Sequence, residues 1–192
     1  NKREQTVLKA CSIYKKFITK KALLFLVENE MNSEELDSAL GILQANYLLV
    51  MYKNGKINIV NRLFQPIIYD LMTKEEREYL HAKMGEFLIL NSVENLSMNI
   101  NPYAFAAYHF SKAGHNEMAL KLYLQSVGGL MAYLNSELAE SSIDEALSII
   151  EAHPEIMPGK KLHAVYLFAG RSYYRLGIYK KATEPLEKSY SI

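Results

Sequence analysis

The sequence predicts a mainly α chain in two parts, a small helical module carrying one β-hairpin and then an array of repeated helical hairpins. Three observations carry that reading. Apolar residues recur every three to four positions over most of the 192 residues, the spacing of one helix face. Strand signals are confined to Leu48–Tyr52 and Ile57–Val60, on either side of Asn54-Gly55, a pair that favours the turn joining twisted antiparallel strands. From Pro102 onward, a set of small and aromatic residues occurs twice at the same spacing, the mark of a repeat architecture.

Residues 1–90 read as the first module. Val7, Leu8 and Cys11 mark a first helix, and Leu23, Leu24, Leu26 and Val27 mark a second behind a cap at Thr19. Asn32 with Glu35 three residues on is a capping-box start, after which Leu36, Leu40, Leu43 and Tyr47 form one face of a third helix. Three helices followed by a hairpin predict a winged-helix module. Leu63, Phe64, Ile67, Ile68 and Leu71 then suggest a helix with Pro66 in its first turn, where proline's missing N–H costs nothing. Thr73 and Glu76 form a second capping box, and a long helix with Tyr79, Leu80, Met84, Phe87 and Leu88 on its apolar face should follow. The polar stretch 91–101 is the expected linker.

In residues 102–192 the set Tyr103, Ala106, Ala107, Phe110, Gly114, Ala119, Tyr123, Ser126 returns as Tyr166, Ala169, Gly170, Tyr173, Gly177, Ala182, Leu186, Ser189, offset by 63 residues. The offset is close to two units of about 34 residues. Small residues such as Ala107, Ala119, Gly170 and Ala182 let paired helices approach, and the tyrosines and phenylalanines fill the space between them. The spacing resembles tetratricopeptide repeats, best in Tyr166–Tyr190 with its Gly177-Ile178-Tyr179-Lys180-Lys181-Ala182 step, and implies an α-α superhelix. Ser142 with Glu145 reads as the cap of a helix containing Ala146, Ile149 and Ile150, with Met131, Tyr133, Leu134 and Leu138 in the helix before it. Pro154 and Pro158 then break the chain. About three helical hairpins are expected, the last without a polar capping helix. Together with an N-terminus that reads Asn1-Lys2-Arg3-Glu4 rather than Met, this predicts a fragment of a longer chain.

Composition excludes several function classes. With 22 Lys and Arg against 21 Asp and Glu, the chain lacks the concentrated basic face that a phosphate-rich partner needs, so nucleic acid is not an expected partner. Lys15, Lys16, Lys20 and Lys21 cluster beside Tyr14 and Phe17, but the third helix carries Glu34, Glu35 and Asp37 and no basic residue, the reverse of a major-groove reader. No apolar run approaches the ~20 residues of a membrane span. Cys11 is the lone cysteine, which rules out an internal disulfide and fits a reducing, cytoplasmic setting. The sequon Asn95-Leu96-Ser97 has no secretory signal beside it.

Nothing in the chain reads as catalytic. Gly55-Lys56 and Gly159-Lys160 lack the following Ser or Thr of a phosphate loop, and His81, His109, His115, His153 and His163 are scattered without metal-ligand spacing. No catalytic, cofactor-binding or metal residue is therefore assigned within these residues. The 14 tyrosines are expected to be packing residues where they fall on repeat positions, among them Tyr173 and Tyr179.

The stretch Ile59-Val60-Asn61-Arg62-Leu63-Phe64-Gln65-Pro66-Ile67-Ile68-Tyr69-Asp70-Leu71, followed by Arg77 and Leu80-His81, resembles the segment after the winged helix of STAND-type signal-transduction ATPases. It is also similar to the helical region of soluble adenylyl cyclases. Ala107-Tyr108-His109-Phe110 and Ala113-Gly114 match the repeat steps of the same family. The resemblance marks Asn61, Leu63, Tyr69, Arg77, His81 and His109 as motif residues. It implies an upstream P-loop ATPase that uses ATP and Mg, which in such proteins can follow a cyclase or kinase domain, with this chain as the regulatory arm that binds that ATPase domain or a protein partner. A DNA-binding activator using Lys15–Lys21 and a freestanding repeat adaptor are the alternative readings.

Overall fold

The computed structural model describes residues 1–14, 17–92, 101–132 and 135–191. The chain is mainly helical with one small sheet, and it divides into two compact units, Asn1–Phe87 and Leu88–Ile192.

The first unit contains α1 (Lys2–Ser12), β1 (Ile18–Thr19), α2 (Lys20–Val27), α3 (Ser33–Ala45), β2 (Leu49–Met51), β3 (Lys56–Ile59), α4 (Phe64–Asp70) and most of α5 (Lys74–Leu90). Local chemistry starts these helices. Thr19 Oγ1 accepts the Ala22 amide at 3.2 Å to open α2. The Asn32–Glu35 box closes in both directions at 3.0 Å, and the Thr73–Glu76 box at 2.9 and 3.2 Å. Each such box satisfies amides that the first helical turn leaves without partners. The core joins Val7 and Ala10 of α1, Leu23 and Leu26 of α2, Leu36, Leu40 and Leu43 of α3, and Leu49 and Ile57 of the sheet.

The sheet is antiparallel in the order β1-β3-β2, with Ile18 opposite Ile57 and Leu49 opposite Ile59. The β2–β3 hairpin matches the strand pattern of the sequence. Its loop holds three residues, Lys53-Asn54-Gly55, because Tyr52 donates to Lys56 O at 2.8 Å and Gly55 takes φ +75°. β1 was not expected, since two residues are too short to show an alternation. It exists because Ile18 is buried against the free edge of β3.

Tyr47 departs from its expected place on the buried face of α3. The helix stops at Ala45, and Tyr47 is 83% exposed with φ +57°. Its amide reaches Gln44 O at 3.0 Å and that of Leu48 reaches Leu43 O at 2.9 Å, so a tyrosine occupies the left-handed position of a Schellman cap that glycine usually fills.

The second unit contains α6 (Pro102–Lys112), α7 (Asn116–Ala132), α8 (Ser136–Ala152), a short 3-10 turn (Pro154–Ile156), α9 (Lys160–Arg175) and α10 (Tyr179–Ser191). The sequence repeat is matched atom for atom at the two interhelical turns. Gly114 and Gly177 have φ of +76° and +77°. In the first turn Gly114 donates to Ser111 O at 3.0 Å and His115 to Phe110 O at 2.9 Å; in the second, Gly177 donates to Tyr174 O and Ile178 to Tyr173 O at the same distances. Deeper in each hairpin, Ser126 and Ser189 are buried and return their hydroxyls to Tyr123 O and Leu186 O, both at 2.7 Å.

The intervening segment differs from the expected two-helix repeat. Ser142 does not cap a helix: α8 starts six residues earlier behind Asn135, and Ser142 is buried mid-helix with its hydroxyl on Leu138 O at 2.8 Å. A serine can spend its hydroxyl on the carbonyl one turn back, so Ser-x-x-Glu is read correctly only when the residues before it break the helix. Met131 belongs to α7, Leu138 to α8, and Tyr133 and Leu134 lie outside the described residues. A single helix, α8, therefore stands between the two repeated hairpins, packed along α7.

Candidate interaction surfaces

Helix α4 is turned inside out. Its polar residues face the protein: Gln65 Nε2 donates to Ser12 O at 3.1 Å and to Tyr14 O at 2.8 Å, holding carbonyls that the end of α1 leaves open. One turn on, Tyr69 O–H meets His81 Nε2 of α5 at 3.1 Å. Ile68 is half-buried, whereas Phe64 and Ile67 of the helix and Leu63 and Leu71 at its two ends face out, at 43%, 55%, 72% and 76% exposure. Burying each would stabilise the unit by roughly 1.5–3 kcal/mol, and the fold forgoes that gain.

Three of the motif residues meet at the α4–α5 corner. Tyr69 packs edge-on to the buried His81 ring at 5.8 Å between centroids, and the Arg77 guanidinium lies over Tyr69 at 5.3 Å. Arg77 also reaches Asp70 at 3.9 Å. Burial raises the Tyr69 phenol above its ordinary value. Asn61 works at the other end, where its Oδ1 accepts the Leu63 amide at 3.0 Å and starts the turn into α4. Leu63 itself is exposed. His109 belongs to the second unit, buried in α6 with its ring edge-on to Tyr108 at 5.3 Å.

The residues marked for repeat packing differ in exposure. Ala107, Ala119, Gly170, Tyr173 and Ala182 are buried, and Gly114 and Gly177 form the two turns. At Gly170 α9 and α10 approach closely: a Cβ there would stand 2.6 Å from Leu186 Cγ and 3.2 Å from Ala182 O. Tyr179 is the exception, 62% exposed and edge-on to Tyr174 at 5.3 Å. It sits at the start of α10, where its ring reaches back over the turn rather than into the core.

Between α8 and the α9–α10 hairpin lies a cavity of about 280 Å³ lined by Asp144, Glu151, Tyr166, Tyr173, Lys181 and Lys188, among others. Two lysines lace its rim. Lys181 bridges Asp144 at 2.7 Å and Glu140 at 2.8 Å, and Lys188 bridges Glu151 at 3.0 Å and Glu184 at 2.8 Å. Tyr173 donates to Asp144 Oδ1 at 2.6 Å. Burial first, then that bond, pushes the Tyr173 phenol well above its usual range. Hydrogen bonds to Asp144 and Glu140 raise Lys181, and bonds to Glu184 and Glu151 raise Lys188.

The direction of these shifts bears on chemistry. A general acid or base works best with its pKa moved toward the operating pH. Among the described residues, every resolved shift moves away from neutrality: Glu4, Glu75 and Glu76 fall, and the affected tyrosines and lysines rise. Burial pushes the Cys11 thiol up to about 12, far from the thiolate a nucleophile needs. No group of three His, Cys, Asp or Glu is placed to hold a metal, and no helix is long and apolar enough to cross a membrane, among the described residues. Neither Gly-Lys step fits an ATP phosphate loop: one closes the β-hairpin, and the other opens α9 without a following Ser or Thr for magnesium.

The basic cluster is in part spent within the protein. Lys20 pairs with Asp37 of α3 at 2.6 Å. Lys15 and Lys16, and the sequon at Asn95, lie outside the described residues. Compared with known proteins, the chain matches no family model, no curated protein and no solved structure.

Proposed function

We propose that the chain is a non-catalytic regulatory and protein-interaction arm of a larger multidomain signalling ATPase that also carries a cyclase or kinase domain. In this reading the first unit is a winged-helix module and the second a tetratricopeptide-like array. ATP and Mg belong to the upstream domain, and the setting is cytoplasmic, which the lone, buried Cys11 suits.

The observation that carries the reading is α4. A segment whose polar side chains hold it to the body while Leu63, Ile67 and Leu71 face solvent gains its burial energy only when another protein surface covers it. Tyr69, Arg77 and His81 set the angle at which α4 is presented, so a docked partner would be coupled to α5 through this corner. Binding that favours one state of the ATPase over the other then shifts an autoinhibited equilibrium. The winged-helix reading is supported by three helices followed by the β2–β3 wing, and the repeat reading by the identical turns at Gly114 and Gly177. A DNA-reading role has less support, because α3 is acidic and ties up Lys20.

The gene product that contains this chain is the test. A Gly-Lys-Ser/Thr loop should be encoded upstream, and changing Leu63 and Ile67 together to Ser should alter its ATP turnover at least about fivefold. A product without that loop, or turnover indifferent to the double change, overturns the reading.

A further inference from the structure

The cavity between α8 and the α9–α10 hairpin is built in two tiers of the same chemistry. Each of its walls repeats after seven residues: Asp144 and Glu151 on α8, Tyr166 and Tyr173 on α9, Lys181 and Lys188 on α10. Seven residues are two helical turns, about 10.5 Å along the axis. In one tier the Lys181 ammonium lies over the Tyr173 ring at 5.8 Å and bridges Asp144 and Glu140 at 2.7 and 2.8 Å. In the other, Lys188 lies over Tyr166 at 5.5 Å and bridges Glu151 and Glu184 at 3.0 and 2.8 Å. Both rings are buried, whereas the lysine side chains are 44% and 38% exposed. Between the tiers the lining is Leu147 and Ser148 of α8 and Pro185 of α10. An aromatic face beside two carboxylates is an ammonium site, and the protein's own lysines already sit in both. Each tier sets two carboxylates against one ammonium, so each keeps one negative charge.

We propose that this cavity binds a linear diamine, with an ammonium at each end of an alkyl chain of about seven carbons, one ammonium to each tier. Three features select that ligand. The first is charge: a diamine brings one positive charge to each tier and leaves it with two carboxylates and two ammoniums. The bridges to Lys188 engage one oxygen of Glu151 and one of Glu184, and an ionised carboxylate offers about four lone-pair sites over its two oxygens. Ligand and lysine therefore share the carboxylates. The second is length, because an extended seven-carbon diamine sets its ammoniums about two helical turns apart, and its methylenes then run past Leu147 and Pro185. The third is size. The cavity of about 280 Å³ falls just below the roughly 300–1,000 Å³ of pockets for drug-sized ligands, which suits a slender chain.

The site goes beyond the interaction-arm reading, and its test involves neither α4 nor ATP turnover. Isothermal titration calorimetry of the purified chain at low ionic strength should show the seven-carbon diamine binding with a Kd of about 0.1 mM. The four-carbon diamine spans too little to reach both tiers, and heptylamine carries one ammonium, so each should bind about tenfold more weakly. Glu151→Gln with Glu184→Gln removes the charge of one tier at exposed positions and should weaken the diamine about tenfold. Lys188→Met takes away a competing ammonium and should tighten it about tenfold, the opposite of what a purely structural clasp would give. Lys181→Met repeats that test in the other tier, and a circular dichroism melt checks the fold of every variant. No binding up to about 10 mM, equal binding of the two diamines, or lysine variants that both bind no tighter overturns the proposal. A lysine-rich peptide that binds where the diamine does not overturns it as well.

Discussion

Two glycines in the second unit should respond to the same substitution with opposite signs. In a helix interior, Gly→Ala is worth about 1 kcal/mol of stability from backbone propensity alone. At Gly128, exposed in α7, an added Cβ meets nothing within 4 Å, so Gly128→Ala should stabilise by about that amount. Gly170 in α9 has the same propensity to gain. There the Cβ would lie 2.6 Å from Leu186 Cγ and 2.8 Å from its Cδ2, so the side chain must leave its place. The 3.2 Å approach to Ala182 O is harder to relieve, because a carbonyl within α10 moves only with its helix. Overpacking of this kind costs about 1–3 kcal/mol, which exceeds the propensity gain and leaves Gly170→Ala destabilising by about 1 kcal/mol. For a unit of this size that is a fall of about 4–8 °C in Tm. Urea unfolding followed by circular dichroism at the helical band reads both variants. If Gly170→Ala stabilises as much as Gly128→Ala, the α9–α10 contact is not the constraint claimed for it.

Tyr47→Gly should stabilise the first unit by about 1 kcal/mol, the cost of a left-handed backbone for a residue with a Cβ, read by the same unfolding assay; a loss of stability would mean that the exposed ring packs on something. Lys9, bonded to Glu76 at 2.6 Å, and then the Thr73 amide hold the Glu76 carboxyl below its ordinary 4.5. A depressed carboxyl contributes stability above its unfolded value and loses it as pH falls through its folded value. The stability difference between wild type and Glu76→Gln should therefore be full at neutral pH and shrink below about pH 4.5, the carboxyl's ordinary value. Cys11, buried and held at about pKa 12, should react with a disulfide reagent only as fast as the first unit opens; labelling in native buffer at the rate of a free thiol would place it at the surface.

Much of this fold was legible in the residues because the information is local. A capping box is four residues long, so Asn32–Glu35 and Thr73–Glu76 announce their helices whatever surrounds them. The spacing of Ala107, Gly114 and Ala119, returned in Gly170, Gly177 and Ala182, carries the two turns for the same reason: a left-handed glycine and a small residue one turn on are requirements of the backbone. The start of α8 was not legible, because Ser142 can cap a helix or bond within one. β1 was not either, since its two residues form a strand only where β3 offers a free edge.

What the sequence determined alone was the order of helices, the position of the hairpin and the absence of a phosphate-loop motif, all consequences of short-range periodicity and residue chemistry. It placed Leu63, Ile67 and Leu71 on one side of α4 and Gln65 and Tyr69 on the other, but periodicity is the same whichever side faces in. The tertiary structure chose. The open carbonyls at the end of α1 and the imidazole of His81 take the polar side, and among the described residues the apolar one is left largely exposed. Long-range hydrogen bonding thereby turned an ordinary amphipathic segment into an exposed apolar surface.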